Sequence, residues 1–269
     1  MRILQIGLQG QDVLDAQCAL AELKIYSDDI DGSFGPHLQA AVKIFQQNKG
    51  LPVTGIIDAA TAAALGLQDP PPVICVIAGI TPEGIAGMFP STHTANIEAN
   101  LPYILNALAE VSLGDRSMIV VALATMSAEA ARFLPVSEGI WSGNTSPGGQ
   151  PFDKYAHILG NTGLEDAANF RGRGFIQITG RSNYQTYSRE LFGDSRLVDD
   201  PLLAHRPEVA ARVLAHYLAD RAPKFRRYLA NDDLKDARAL VNGADNGIGS
   251  FSWAYTEGLK LPCIQLLQA

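Results

Sequence analysis

Cysteine is scarce in this sequence, and long hydrophobic runs are absent. Three cysteines, Cys18, Cys75 and Cys263, lie far apart among 269 residues, so we expect neither a disulfide framework nor a CxxC zinc site. No stretch is long and apolar enough to cross a membrane, so membrane insertion is not expected. The first residues lack the apolar run and cleavage site of a secretory signal peptide, which predicts synthesis in the cytoplasm.

Positive charge is also scarce. The chain has 21 Lys and Arg against 28 Asp and Glu, and this acidic balance disfavours nucleic acid as a partner. The five histidines form no HExxH motif or close pair, which disfavours a zinc amidase or peptidase. We expect no metal site and no cofactor. Hydrophobic residues make up 47% of the chain, which is enough to bury a sizeable core.

Three consecutive prolines, residues 70–72, divide the sequence. Prolines cannot continue a helix and favour a stiff, extended spacer. We therefore predict an N-terminal domain over residues 1–67, a linker over 68–79 and a C-terminal domain over 80–269. The predicted fold class is mainly α: a small three-helix domain, then a larger α-rich, lysozyme-like domain with a minor β element.

Capping residues and apolar spacing predict the helices of the first domain. Asp12 and Asp58 each precede a helical pattern as caps, and Pro36 suits the first position of a helix. A turn with glycine and an apolar residue occurs at 32–34 and again at 55–57, which indicates a weak internal repeat.

The runs GQDVLDAQCAL, DGSFGPHLQAAVKIFQQNKGL and VTGIIDAATAAAL resemble the type 1 peptidoglycan-binding domain. The resemblance spans nearly the whole first segment, with Leu38 where the family usually has Thr. It implies that bacterial peptidoglycan is a partner and that Asp31 and Phe34 contribute to cell-wall binding. The alternative is a three-helix bundle without a ligand.

Helical periodicity dominates the second part of the sequence. Apolar residues recur at helical spacing over 96–112, and the run 117–133 is apolar on almost every side. Further helices are predicted over 207–218 and 234–241. The alternation over 175–179 predicts the one strand.

Two glutamates lie in contrasting sequence environments. Glu129 lies in the apolar helix, where burial predicts a raised carboxyl pKa and suits a general acid. The alternative is a helix-end glutamate that reaches solvent or pairs with Arg132. Glu138 follows Pro135 in a polar loop, where a carboxylate stays ionised and can act as a base. Glycosidases use such pairs, although sequence spacing does not distinguish inverting from retaining chemistry.

The run RGRGFIQITGRSNY, residues 171–184, surrounds a short alternation with glycine and arginine. It is not a dinucleotide-binding fingerprint, because Gln177 occupies the third glycine position and no strand precedes it. On an extended segment Gln177 and Thr179 would share one face, with Asn183 further along. Their side chains can hold a water molecule and sugar acetamido groups. A solvated surface turn is the alternative.

Several ordered runs resemble glycoside hydrolase family 19, which contains chitinases and lysozyme-like endolysins. They are ALATMSAEAARFLPVSE, NTSPGGQPFDKY, LGN, FRGRGFIQITGRSNY and ARALVNGADNGIGSF, and they cover roughly residues 80–260. The resemblance implies single-displacement, inverting hydrolysis without a metal. It matches Glu129 to the general acid and Glu138 to the general base. Ala128 stands where most members have His, and Ile140 where endolysin-like members have Thr.

The same resemblance implies roles for six further residues. Arg173 matches the arginine that supports the general acid. Gln177, Thr179 and Asn183 match residues that position the attacking water and the substrate acetamido group. Tyr184 and Asn242 match residues that line the sugar cleft.

The function expected from these observations is cleavage of β-1,4 bonds in the bacterial cell wall. A chitinase acting on N-acetylglucosamine polymers is an alternative within the same class. A non-catalytic glycan-binding protein is the alternative from another class, and the presence of both glutamates argues against it. Holin release or a secretion machinery would then deliver the protein to the wall.

Overall fold

The computed structural model describes residues 1–67, 77–130, 132–140, 142–243, 246–261 and 265–266. The proline spacer at 70–72, Cys75 and Cys263 lie outside the described residues.

The N-terminal unit contains the three predicted helices: α1 (Gln11–Glu22), α2 (Pro36–Asn48) and α3 (Ala59–Ala64). Pro36 occupies the first turn of α2, and the carboxylate of Asp58 accepts from the amide of Thr61 to cap α3. The apolar faces of the helices enclose a core of their own, which includes the buried rings of Phe34 and Phe45.

Two buried glutamines explain the internal repeat. Gln17 on α1 accepts from the amide of Gly32 at 2.8 Å, and Gln46 on α2 accepts from the amide of Gly55 at 2.8 Å. Both glycines have left-handed φ angles, 70° and 72°, which glycine adopts without strain. In both places the side-chain oxygen of a buried glutamine accepts a hydrogen bond from the amide of a turn glycine. The repeat predicted from the sequence is therefore confirmed.

The C-terminal unit is also helical. Its helices are α4 (Pro82–Ile85), α5 (Thr94–Glu110), α6 (Arg116–Glu129), α7 (Leu164–Asn169), α8 (Arg181–Phe192), α9 (Arg196–Asp199), α10 (Pro207–Ala219), α11 (Ala222–Leu229), α12 (Leu234–Asn242) and α13 (Ile248–Gly258). Short 3₁₀ turns lie at Ala86–Met88, Asp153–Tyr155 and Pro201–His205. The strands β1 (Ile77–Ala78) and β2 (Gln265–Leu266) pair antiparallel. Within the part of the chain described, no helix is both long enough and apolar enough to span a membrane.

Helix α6 forms the centre of this unit, with α13 packed along it and α10 packed along α5. Residues 118–127 of α6 are all buried, which accounts for the run of apolar residues on every side of this helix. The helices predicted over 96–112, 207–218 and 234–241 are confirmed as α5, α10 and α12, with ends shifted by at most two residues.

Helix α6 ends at Glu129, so the boundary predicted at residue 133 is wrong. Phe133 has a left-handed φ of 58°, and its ring is fully buried. The side-chain amides of Asn96 and Asn100 on α5 donate to the carbonyls of Arg132 and Phe133, each at 3.0 Å. These tertiary bonds hold the chain that leaves the helix, and they place Glu129 in the last turn.

The strand predicted over 175–179 is also wrong. The segment is a tight turn in which Ile178 donates to the carbonyl of Arg173 at 3.0 Å. Gly174 and Gln177 both have left-handed φ angles, 79° and 52°, which a continuous strand does not contain. Phe175 and its apolar neighbours are buried although the segment is a turn. The alternation in the sequence therefore reflects which side chains are buried, and it does not indicate an extended strand.

Helix α8 has no counterpart among the predicted helices, although its sequence carries the signal of one. Tyr184, Tyr187, Ser188 and Leu191 are buried at positions i, i+3, i+4 and i+7 of the helix. This spacing predicts the helix, and the glycines before it mark only the preceding turn.

The two units are packed against each other. Leu134, 1% exposed, belongs to the core of the N-terminal unit, although it follows α6 in the chain. Arg132 donates to the hydroxyl of Ser33 at 3.0 Å and to the carbonyl of Asp31. The pairing of Arg132 with Glu129, one alternative from the sequence, is therefore wrong.

Phe34 lies in the core of the N-terminal unit, which corrects the prediction that it contacts the cell wall. Its replacement by alanine is expected to destabilise this unit by about 3–5 kcal/mol, because removing a buried ring leaves a cavity. Urea unfolding followed by circular dichroism measures the loss. Ile44→Ala on the same unit is the control, since Ile44 is 49% exposed and should change stability by less than about 0.5 kcal/mol. An unchanged midpoint with weaker sacculus binding would point instead to a ligand contact.

Candidate active site

Glu129 is paired with a buried arginine from a distant part of the chain. Its Oε1 accepts from Nη2 of Arg238 on α12 at 2.6 Å, and the two side chains are 19% and 2% exposed. Nε of Arg238 donates to the carbonyl of Asn246 at 2.9 Å, which fixes the guanidinium. The small side chain of Ala128 lies beside Gly247 in the same region. Glu129 is therefore partly exposed and paired with Arg238, whereas the sequence predicted a carboxyl buried in an apolar helix.

Replacing Arg238 by lysine is expected to lower both stability and activity. Lysine keeps the charge but cannot bond Glu129 and the Asn246 carbonyl with one planar group. We expect the free energy of unfolding to fall by about 1.5–3 kcal/mol, which is the usual range for a hydrogen bond to a charged group. Thermal unfolding and turnover measure the two effects. Arg189→Lys, at an exposed position of α8, should change neither; equal losses in both variants would contradict a special role for Arg238.

Glu138 lies in the irregular segment after α6, in contact with three hydrogen-bond donors. Asn144 donates to Oε1 at 2.6 Å and the hydroxyl of Tyr155 donates to the same oxygen at 3.3 Å. The amide of Gly172 donates to Oε2 at 3.3 Å. Burial and the neighbouring Glu138 carboxylate raise the pKa of Tyr155, so its hydroxyl keeps its proton. Each of these contacts suits an ionised carboxylate, which accepts and does not donate.

A two-stranded contact fixes the backbone around Glu138. Its amide donates to the carbonyl of Gly172 at 2.8 Å, and the amide of Gly174 donates to the carbonyl of Val136 at 3.0 Å. The glycine-rich turn of 171–184 is therefore the support of the Glu138 segment.

Glycine at position 172 allows a close approach of two side chains. A Cβ at this position would lie 2.9 Å from the side-chain oxygen of Gln177 and 3.3 Å from Oε2 of Glu138. The amide oxygen of Gln177 and the carboxylate of Glu138 therefore both approach the position that a side chain at residue 172 would take. The structure brings the side chains of Gln177 and Glu138 close to Gly172, and it does so through a turn and not through the predicted strand.

Thr179 and Asn183 follow Gln177 in a chain of hydrogen bonds. The hydroxyl of Thr179 donates to the carbonyl of Gln177 at 3.0 Å, and the side-chain amide of Asn183 donates to the carbonyl of Thr179 at 2.7 Å. The amide nitrogen of Gln177 donates to the carbonyls of Val136 and Gly174 at 2.8 and 2.9 Å. Contact of these three side chains with water or substrate stays a prediction.

Arg173 and Tyr184 have positions that differ from the predicted ones. Nη1 of Arg173 donates to the hydroxyl of Tyr184 at 2.9 Å and to the carbonyl of Asn169 at 2.6 Å, while Arg238 is the arginine that reaches Glu129. Tyr184 is fully buried, so it does not line an open sugar cleft. Both residues instead hold the turn of 171–184 against α8. The side chain of Asn242, at the end of α12, lies outside what the structure describes.

Three residues of the site were not predicted from the sequence: Arg238, Asn144 and Tyr155. Asn144 and Tyr155 both belong to NTSPGGQPFDKY, one of the runs that carry the family 19 resemblance. That run was the available signal for these two. Arg238 likewise lies in ARALVNGADNGIGSF, but its pairing depends on how α12 packs.

Among the described residues, no group of three or more His, Cys, Asp or Glu side chains is arranged to hold a metal ion.

Comparison with known families matches one part of the chain. Residues 9–65 match the family model described as "Putative peptidoglycan binding domain". The match covers α1, α2 and α3, and with them the glutamine-held glycine turns.

Two curated proteins of Bacillus cereus, both named spore cortex-lytic enzyme, are 36% identical to this chain over 64 residues. The aligned part is 24% of this chain and 25% of each relative, so the chain spans a quarter of the length of the curated relatives that it matches. Among solved structures, the crystal structure of Burkholderia AP3 phage endolysin aligns with 96% of this chain and 100% of its own, at 17% identity and a TM-score of 0.33. A TM-score of this size does not establish a common fold.

Proposed function

We propose that this protein is a peptidoglycan hydrolase of the family 19 type that cleaves β-1,4 glycosidic bonds by an inverting acid/base mechanism. The observation that carries the proposal is the contrast between the two carboxylates. Glu138 lies among three donors in a polar segment, and Glu129 ends a buried helix beside Arg238. Inverting glycosidases use one carboxylate as base on the water and the other carboxyl as acid on the leaving oxygen.

In the proposed reaction Glu138 takes a proton from water as the oxygen attacks the anomeric carbon. Gln177 and the Thr179 hydroxyl orient that water, and Asn183 contacts the substrate acetamido group. Glu129 gives its proton to the leaving glycosidic oxygen and becomes a carboxylate. Arg238 stabilises the anion at the moment it forms, because a guanidinium already in place costs no reorganisation. Proton exchange with solvent then restores both groups.

The N-terminal unit supports peptidoglycan as the substrate. Its match to a peptidoglycan-binding family predicts attachment to the wall, and attachment raises the effective concentration of the enzyme at an insoluble glycan. The name of the curated relatives, spore cortex-lytic enzyme, supports a lytic role for this chain as well. We propose delivery to the wall by holin release or injection.

Product analysis tests this function. Purified sacculi are digested, the new reducing ends are labelled with borohydride, and the fragments are identified by mass spectrometry. We expect muropeptides with new reducing ends, and proton NMR should show the inverted anomer first. Cleavage of chitin oligomers, while sacculi remain undigested, would favour a chitinase. Release of peptides without new reducing ends, or no cleavage of either glycan, would contradict a glycosidase.

A further inference from the structure

The residues on both sides of Glu138 are held by the N-terminal unit. The amide of Ser137, one residue before, donates to the carbonyl of Ile30 at 2.9 Å. The amide of Ile140, two residues after, donates to Oδ1 of Asp29 at 3.0 Å. Two consecutive residues of the N-terminal unit therefore bind both sides of the segment that presents the carboxylate.

Asp29 also restricts the backbone between these two bonds. A Cβ at Gly139 would lie 3.0 Å from Oδ2 of Asp29, so glycine allows the segment to pass against this carboxylate. Burial at the interface raises the pKa of Asp29, while the bond from Ile140 opposes this shift.

The C-terminal unit supplies the remaining supports of the segment. The hydroxyl of Ser137 is 2.7 Å from Nε2 of His205, and the amide of Glu138 bonds to Gly172. Both of these lie on the N-terminal side of Gly139. On the far side, the carbonyls of Gly139 and Ile140 accept from the amide of Ser142 at 3.0 Å and from the hydroxyl of Thr145 at 2.9 Å, and the bond from the Ile140 amide to Asp29 ties this side to the N-terminal unit.

We propose that Asp29 is a positioning residue for Glu138, so that the N-terminal unit completes the catalytic site in addition to attaching the enzyme to the wall. The inference rests on the proposed role of Glu138 as the base. Loss of the bond to Ile140 would let the carboxylate move relative to the water, and small misplacements of a catalytic group cost large factors in rate. Asp29 itself does not touch the substrate in this proposal.

The test uses the full chain and a soluble, uncrosslinked glycan strand of peptidoglycan, for which attachment to the wall is not needed. Asp29→Ala should lower kcat by about tenfold with KM within about twofold, because chemistry and not binding is affected. Asp29→Asn should keep most of kcat, since its side-chain oxygen still accepts from Ile140. The matched control is Asp28→Ala, whose carboxylate bonds to His37 within the N-terminal unit and should leave kcat unchanged.

Hydrogen exchange at the Ile140 amide gives a second readout that is independent of catalysis. It should be about tenfold faster in Asp29→Ala than in the wild type or Asp29→Asn, with global unfolding unchanged. Equal loss of kcat in Asp28→Ala and Asp29→Ala, a rise in KM alone, or unchanged exchange would each overturn the proposal.

Glu138→Gln, measured beside them, separates the two claims. If it is inactive, a normal kcat in Asp29→Ala overturns the positioning role alone. If it retains wild-type activity, the proposed function fails and the positioning role fails with it, even where exchange at Ile140 is faster.

Discussion

Glu138→Gln is expected to lower the rate of glycan cleavage by about 10²–10⁴-fold, the usual contribution of a general base. Glutamine has nearly the same shape but cannot accept the proton of the attacking water. Its oxygen can still accept from Asn144, so the fold should be kept, whereas its amide group then faces the amide of Gly172 as donor against donor. The measurement is kcat on soluble glycan strands, with a thermal melt of the same protein.

Two further variants sharpen this result. Glu98→Gln is the control, because Glu98 is exposed on α5 and should change the rate by less than about twofold. Glu138→Ala with added azide should recover part of the lost rate, since a small anion can attack without a base. Wild-type turnover in Glu138→Gln would remove this residue from the mechanism.

Glu129→Gln is the second change with a large expected effect. Without a transferable proton at the leaving oxygen, we expect cleavage to fall by about 10²–10⁴-fold. The loss should be much smaller for a substrate with a phenolate-type leaving group, which departs without protonation. That difference between substrates distinguishes loss of an acid from general damage to the site.

Stability must be measured in the same variant, because Glu129 is the partner of a buried arginine. Arg238 is 2% exposed. In a fully buried ion pair, removal of the carboxylate leaves the arginine unpaired, and this loss is strongly destabilising. Glutamine keeps an oxygen that can accept from Nη2 of Arg238, and the partial exposure of Glu129 reduces the cost further. Binding to sacculi by pull-down should stay at the wild-type level. Lysis by Glu129→Gln at the wild-type rate would contradict the assignment of Glu129 as the general acid. Glu165→Gln, at an exposed position of α7, is the matched control.

Helices with a buried stripe were predictable from the sequence, and so were Pro36 at the start of α2 and the Asp58 cap of α3. The prediction of Asp12 as a cap was wrong, because α1 begins at Gln11 with Gly10 at its N-cap and Asp12 lies in the first turn. The apolar run around α6 reported a helix buried on all sides, and the duplicated glycine turns reported the repeat in the N-terminal unit. These features depend on residues a few positions apart, so local spacing is enough to find them. The strand over 175–179 failed because burial alone produced its alternation, while the left-handed angles at Gly174 and Gln177 depend on the surrounding packing.

The candidate site could be predicted only in part, for a related reason. Glu129 and Glu138 were identified by their environments and by a family resemblance. Their partners come from other segments: Arg238 lies 109 residues after Glu129 in the chain, and Gly172 lies 34 residues after Glu138. The structure corrects the roles predicted for Arg173 and Tyr184, because both side chains are buried and bond to each other beneath the turn.

By itself, the sequence determined the helical class, the glycine turns and two glutamates placed in unlike surroundings, because each follows from residue type and short-range spacing. Only the tertiary structure decided which arginine meets Glu129, which donors surround Glu138, and that Asp29 of the N-terminal unit reaches the segment beside it. A hydrogen bond requires two groups within about 3 Å in the right orientation. That condition is set by how helices far apart in the chain pack, and no local pattern records it.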